Sequence, residues 1–192
     1  MIIGLTGSMG AGKGEVTKIL ERLGFKYITL SQIVREEARK EGIPEEREKL
    51  MEVGNRMRAQ EGAGVLAKRA LEKIKLESRH SSLVTSLWVI DGIRNPAEID
   101  ALRQGENVHI LGLHANRELL IERILRRGRD SDPKTRKEIL HRIEREWGKN
   151  EPEDGQRMEE CMKKVDVLIE NEGTLEELDK KVIKFYNTAI SD

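Results

Sequence analysis

The sequence predicts an α/β protein, a parallel sheet of five strands with helices on both faces. Two observations carry this. Five short apolar runs recur along the chain, at residues 1–6, 25–30, 86–91, 108–114 and 165–170. Between them the apolar residues recur at helical rather than alternating spacing, so each strand is followed by a crossover and the connections are right-handed.

The elements follow in order. MIIGLT is a short apolar run punctuated by glycine, as a buried parallel strand would be. From Lys13 the period changes: Val16, Ile19, Leu20 and Leu23 share one helical face, and Gly24 is a C-terminal stop. FKYITL forms a second strand, and Ser31 is read as the N-cap of the helix that begins QIVREEARK. Gly42, Ile43 and Pro44 interrupt; helical composition resumes at Glu45 and runs, with breaks near Gly62 and Gly64, to about Lys75. Residues 31–78 are longer than one crossover helix requires, so they are read as an inserted helical lobe. SLWVID is the third strand, ending at Asp91, and VHILGLH the fourth. A helix from about Asn116 to Arg127 leads into RRGRDSDPKTRK, a polar, turn-rich flap. Behind it lies an amphipathic helix with Ile139, Leu140, Ile143 and Trp147 on one side. After a loop at 148–157, VDVLIE is the fifth strand and Thr174 caps the last helix. The 192 residues form a single domain.

Lys plus Arg and Asp plus Glu each total 35, so no global field draws the chain to nucleic acid or membrane, and any basic site is local. The longest apolar run, Leu83 to Ile90, is far too short to span a bilayer. One cysteine, Cys161, excludes an internal disulfide, and no leader precedes the first strand, so a reduced, cytoplasmic setting is expected. Oligomeric state is not legible. His80, His109, His114 and His141 have no metal-ligand spacing and are read as structural.

Gly7-Ser8-Met9-Gly10-Ala11-Gly12-Lys13 has the spacing that wraps backbone N–H groups around a phosphate, with a helix N-terminus behind and a lysine on the β/γ oxygens. A glycine-rich turn without a ligand is the competing reading. Strand, full spacing, lysine and helix coincide, and they decide for a nucleotide site binding ATP. Where a Mg²⁺-binding hydroxyl is usual, the chain continues Gly14-Glu15. Glu15 either points outward, reaches Mg²⁺ through water, or serves as a favourable first-turn acid, and the last is favoured. Asp91, closing an apolar strand before Gly92, is in position to hold Mg²⁺ or its water shell; capping the next turn is the alternative.

Gly14 resembles the G-K-G-T loop of adenylate kinases, from which the chain departs at Glu15. DGIR resembles their DGFPR stretch, which implies that Arg94 grips the acceptor phosphate. TLSQIVR is similar to their STGDMLR segment, which implies the same for Arg35, although Gln32 replaces the family's aspartate. RILRR is similar to the start of their lid. The resemblance implies Arg123 at the donor nucleotide, Arg127 and Arg142 at the transferred group, and residues 126–137 as an arginine-rich lid without zinc. Arg39, Arg56 and Arg58 are read as a solvated face.

Over nearly its whole length the chain also resembles dephospho-CoA kinase and an uncharacterised nucleotide-kinase-like family related to it. GKGE, IVREEA, VIDGIR, RRGRDSDP and VDVLIENEGTLEEL carry this. The resemblance implies a three-layer P-loop fold with strand order 2-3-1-4-5, and Asn171, Gly173 and Thr174 near the donor base. A ribose hydroxyl acceptor calls for a general base. Leu30-Ser31-Gln32 offers no carboxylate before Glu36, whereas a phosphate acceptor needs only arginine clamps. A nucleoside or deoxynucleoside monophosphate is therefore favoured over a hydroxyl acceptor of the dephospho-CoA type. A nucleotide-binding regulatory module that holds ATP without an acceptor is the rival from another class.

Overall fold

The structure is a computed structural model that describes residues 1–79, 86–130 and 132–190. His80, the start of the apolar run at Leu83, and Ser131 of the segment read as a lid lie outside the described residues. In chain order the elements are β1 (Ile2–Gly7), α1 (Lys13–Arg22), β2 (Lys26–Thr29), α2 (Leu30–Lys40), α3 (Arg47–Glu61), α4 (Val65–Arg79) and β3 (Trp88–Ile93). They continue with α5 (Pro96–Leu102), β4 (Val108–His114), α6 (Arg117–Arg127), α7 (Arg136–Glu146), α8 (Met158–Lys163), β5 (Val167–Glu170) and α9 (Leu175–Ala189).

The strands form one parallel sheet, as their spacing predicts, in the order β2-β3-β1-β4-β5 that the family resemblance implies. Strand alternation sorts the core into two layers. Ile2, Trp88, Ile90 and Ile110 face one apolar cluster, completed by residues of α2, α3, α4, α5 and α8. Ile3, Leu5, Val89, Leu111 and Leu113 face the other, under α1, α6, α7 and α9. β1 is buried along its whole length because it lies between β3 and β4 with helices on both sides. Among the described residues no helix is long and apolar enough to cross a membrane.

Two boundaries differ from the sequence reading. Thr29, not Ser31, caps α2, its hydroxyl accepting the Ser31 N–H at 3.3 Å, so β2 passes into α2 without a loop. β3 does not end at Asp91 but runs to Ile93. An irregularity in the β1 pairing between Leu5 and Thr6 lets Thr6 pair with Ile93, and the Thr6 hydroxyl donates to the Ile93 carbonyl at 3.1 Å. Asp91 therefore sits within the strand opposite Leu5, with Arg94 directly past the strand end. Thr174 caps α9 as expected, in a capping box with Glu177.

Gly7 ends β1 at φ +145°, and a Cβ there would stand 2.5 Å from the Leu113 carbonyl oxygen. Backbone cannot yield as a flexible side chain can. Gly7→Ala is expected to lower stability by about 1–3 kcal/mol and to weaken any ligand of the following loop, read by urea unfolding. An unchanged midpoint would show that β1 and β4 can separate here at no cost.

Candidate functional site

The turn after β1 brings main-chain donors together at the start of α1. Gly12 is the α1 N-cap at φ +102°, and no side chain caps this helix. Its first amides are thus presented with the positive end of the helix dipole, the arrangement that binds an anion. Lys13 extends back over the loop, its ammonium donating to the Gly7 carbonyl at 2.6 Å and the Ser8 carbonyl at 3.3 Å. Burial pushes this ammonium below its ordinary value, opposed by the negative charges of Asp91 and Glu146. A Cβ at Gly14 would meet nothing within 4 Å, so packing does not demand glycine there. Glu15 pairs with Lys18 at 2.9 Å on the exposed side of the first turn of α1, as an outward first-turn acid does.

Asp91 lies one strand away. One carboxylate oxygen is 3.4 Å from the Tyr27 hydroxyl; the other is buried with no hydrogen-bond partner. Burial and then the Asp91 charge push the Tyr27 phenol up to about 12. On the far side of the loop, the Asn171 side chain donates to the Ala11 carbonyl at 2.9 Å, and its backbone N–H to the His114 carbonyl at 2.7 Å. Arg123 donates to the Asn171 carbonyl at 2.9 Å. A Cβ on Gly12 would collide with the Asn171 amide, so glycine there admits the side chain that ties β5 to the loop. Gly173 directly precedes the Thr174 cap.

The opposite flank is a cavity of about 530 Å³ between α2 and α3 on one side and α7 on the other, reaching Gly92 and Arg94. Arg35, Arg94 and Arg142 line it. Arg35 is half exposed, 3.5 Å from Glu45. Arg94 is fixed from both ends: its side chain donates to Gln156 at 3.2 Å, and its backbone N–H to Glu98 at 2.8 Å. Arg127 faces Asp132 with two hydrogen bonds, of 2.6 and 2.8 Å. Although burial acts to raise it, the Asp132 carboxyl is held below its ordinary value by that guanidinium. Arg142 is pushed down by burial and lies 4.0 Å from Glu146.

Several residues in this region have no role in the sequence reading. Arg58 is not on a solvated face: it is 6% exposed and donates twice to Glu98, at 2.9 and 3.1 Å, while Glu98 is fully buried. The second Glu98 oxygen accepts the Arg94 and Asn95 amides, so one carboxylate joins α3 to the Arg94 backbone. Glu146, the last residue of α7, is 3% exposed. One of its oxygens accepts the Met9 N–H at 3.1 Å; the other has no hydrogen-bond partner and lies 3.8 Å from Arg94 and 4.0 Å from Arg142. Trp147 donates from its indole N–H to the Ser8 hydroxyl at 2.8 Å and packs edge-on against His114. The end of α7 is thereby bolted to the phosphate loop. A signal for Glu146 was present, because an acid at a helix C-terminus faces the negative end of the dipole and needs another reason to be there.

A family model described as AAA domain matches residues 3–161. A UPF0200 protein of Pyrococcus horikoshii is 36% identical over 195 residues, covering 100% of this chain and 99% of that protein. A UPF0200 protein of Sulfurisphaera tokodaii is 35% identical over 180 residues, covering 94% and 92%. Among solved structures, TT1252 from Thermus thermophilus superposes with a TM-score of 0.63 at 21% identity, covering 98% of this chain and 97% of that one. Shikimate kinase from Aquifex aeolicus superposes with a TM-score of 0.50 at 17% identity over both full lengths. At these identities the two structures show a shared fold: that of the P-loop kinases.

Proposed function

The chain belongs to the AAA domain family and to the UPF0200 proteins, and from that premise we propose that it transfers the γ-phosphoryl group of ATP to a small nucleotide-type acceptor. The observation that carries this is the cavity beside the phosphate loop, lined by Arg35, Arg94 and Arg142 and closed on one side by the helix that follows the lid segment. Phosphoryl transfer asks a protein mainly for alignment and positive charge. The loop amides and Lys13 would hold the donor's phosphates, with Arg123 and Asn171 toward its base. Arg35 and Arg94 would grip a phosphate of the acceptor, and Arg127 and Arg142 would face the migrating group. A nucleoside or deoxynucleoside monophosphate is the simplest molecule that meets these terms. A cytoplasmic setting belongs to the same reading, since Cys161 is the one thiol and is buried.

Mg²⁺ fits the residues present. No group of three or more His, Cys, Asp or Glu side chains could hold a metal among the described residues. This ion, however, habitually takes one or two carboxylates and completes its shell with water and substrate phosphates. The unpartnered buried oxygen of Asp91 is such a carboxylate. Once bound, the ion supplies charge neutralisation on the phosphates.

The test is ADP release with ATP, Mg²⁺ and a panel of nucleoside monophosphates plus dephospho-CoA. Stimulation by one acceptor class is expected; slow hydrolysis indifferent to every acceptor would instead support the regulatory ATP-binding module and sink the kinase reading. Arg94→Ala is expected to raise the acceptor KM about tenfold or more while leaving ATP affinity within about twofold, as loss of one charge-assisted contact does. Equal loss of ATP affinity would contradict the role given to Arg94.

A further inference from the structure

We infer that Glu146 is a catalytic residue that takes the hydrogen bond, and then the proton, of an acceptor hydroxyl, so that the atom attacking ATP is an alcohol oxygen. The inference rests on the kinase reading above and deepens it by naming the attacking group. The acceptor still carries a phosphate for Arg35 and Arg94. What is phosphorylated is its hydroxyl.

The argument starts from one oxygen atom. Glu146 is 3% exposed and lines the cavity, and the one protein hydrogen bond it accepts comes from the Met9 amide to one oxygen. The other oxygen has no donor. Arg94 and Arg142, at 3.8 and 4.0 Å, provide charge but stand beyond hydrogen-bond reach. A buried carboxylate oxygen left in this condition is costly and calls for a partner. Of the groups a nucleotide can bring, an ionised phosphate cannot serve, since it donates nothing and repels the carboxylate. A hydroxyl or a base N–H can, and of these two the hydroxyl is the one able to attack phosphorus.

The position of Glu146 fits the chemistry as well. The Met9 amide that anchors it belongs to the loop that would hold the donor's phosphates, so a hydroxyl bound to Glu146 stands beside the phosphoryl group to be moved. The acceptor O–H oxygen forms the new bond to the γ-phosphorus, the bond from that phosphorus to the β,γ-bridging oxygen breaks, ADP leaves with its electron pair, and the hydroxyl proton passes to Glu146. In a loose transition state this proton moves late, so the first task of the carboxylate is to aim the oxygen. The preference for a phosphate acceptor rested on the absence of a carboxylate after β2. α7 supplies one from the other wall of the cavity.

The test uses γ-labelled ATP, Mg²⁺ and a panel of 5′-nucleotides with dephospho-CoA, alongside 2′,3′-dideoxy analogues of the nucleotides. The linkage of the product is read by phosphorus NMR, and ATP binding by calorimetry. Label is expected in a phosphate monoester and none in the dideoxy compounds. Glu146→Gln, close in shape and unable to take a proton, is expected to lose about 10²-fold or more in kcat while binding ATP within about threefold of wild type, which also reports a folded loop. A phosphoanhydride product, formed equally from dideoxy acceptors and by Glu146→Gln, would overturn the inference and leave the kinase reading intact. Failure of the wild type to label any acceptor would overturn both.

Discussion

Lys13→Ala is expected to cut ATP turnover by at least about 10²–10³-fold, the scale on which one preorganised electrostatic contact to a transferring group acts. Lys13 is held over the loop by the Gly7 and Ser8 carbonyls, so it needs little reorganisation to meet the phosphates. It also feels the charges of Asp91 and Glu146, which offset part of the effect of its burial. Alanine removes the cation that these two acids act on, so added repulsion against ATP should appear as weaker binding as well as slower turnover. Fold loss is not the expected route, because Lys13 is the first residue of α1 and alanine is a good helix former. Turnover and calorimetric ATP affinity, with thermal unfolding as control, decide it. Wild-type turnover in this variant would remove the loop from the mechanism.

Glu98→Ala is expected to be the most destabilising single change on the acceptor side. Two guanidinium N–H groups of Arg58 and two backbone amides would lose their acceptor at once, inside the protein. Removing one partner of a buried ion pair costs about 3–5 kcal/mol, chiefly because the other is left charged and unpaired. The double variant Arg58→Met with Glu98→Gln, which keeps an oxygen for the two amides and removes both charges, should cost less than Glu98→Ala. Urea unfolding measures all of these. If Glu98→Ala and the double variant fell equally, neither the two amide contacts nor an unpaired Arg58 would add to the cost of losing the ion pair. Glu98→Ala should also raise the acceptor KM, because Glu98 anchors the Arg94 amide, and the double variant, which keeps that contact, should raise it less.

The parts legible in the sequence are those written in local spacing. Strand, glycine-rich turn and helix at residues 2–22 follow from one change of period, and Thr174 with Glu177 three residues later announces α9. Ser31, read as the α2 cap from its place before QIVREEARK, is not the cap; Thr29 is, because β2 passes into α2 with no residue between them. The extension of β3 past Asp91 depends on an irregular pairing with β1, which no window around Asp91 contains. Arg58, read as part of a solvated face, and Glu98, forty residues further on, are joined only by the packing of their two helices. Glu146 and Met9 are separated by 137 positions, so their hydrogen bond has no sequence signature beyond an acid at the wrong end of a helix.

The strand order has a consequence for how the molecule comes into being. β1 leaves the ribosome before the strands it pairs with, β3 and β4: Ile2 stands opposite Trp88 on one side and Val108 on the other. Until β4, more than a hundred residues further along, has emerged, β1, which is buried along its whole length in the finished sheet, keeps an unpaired edge, a state open to misassociation. Contacts of such sequence separation also make for slow closure. The loop that follows β1 therefore takes its final shape only when β4 is in place, since Gly7 pairs with Leu113.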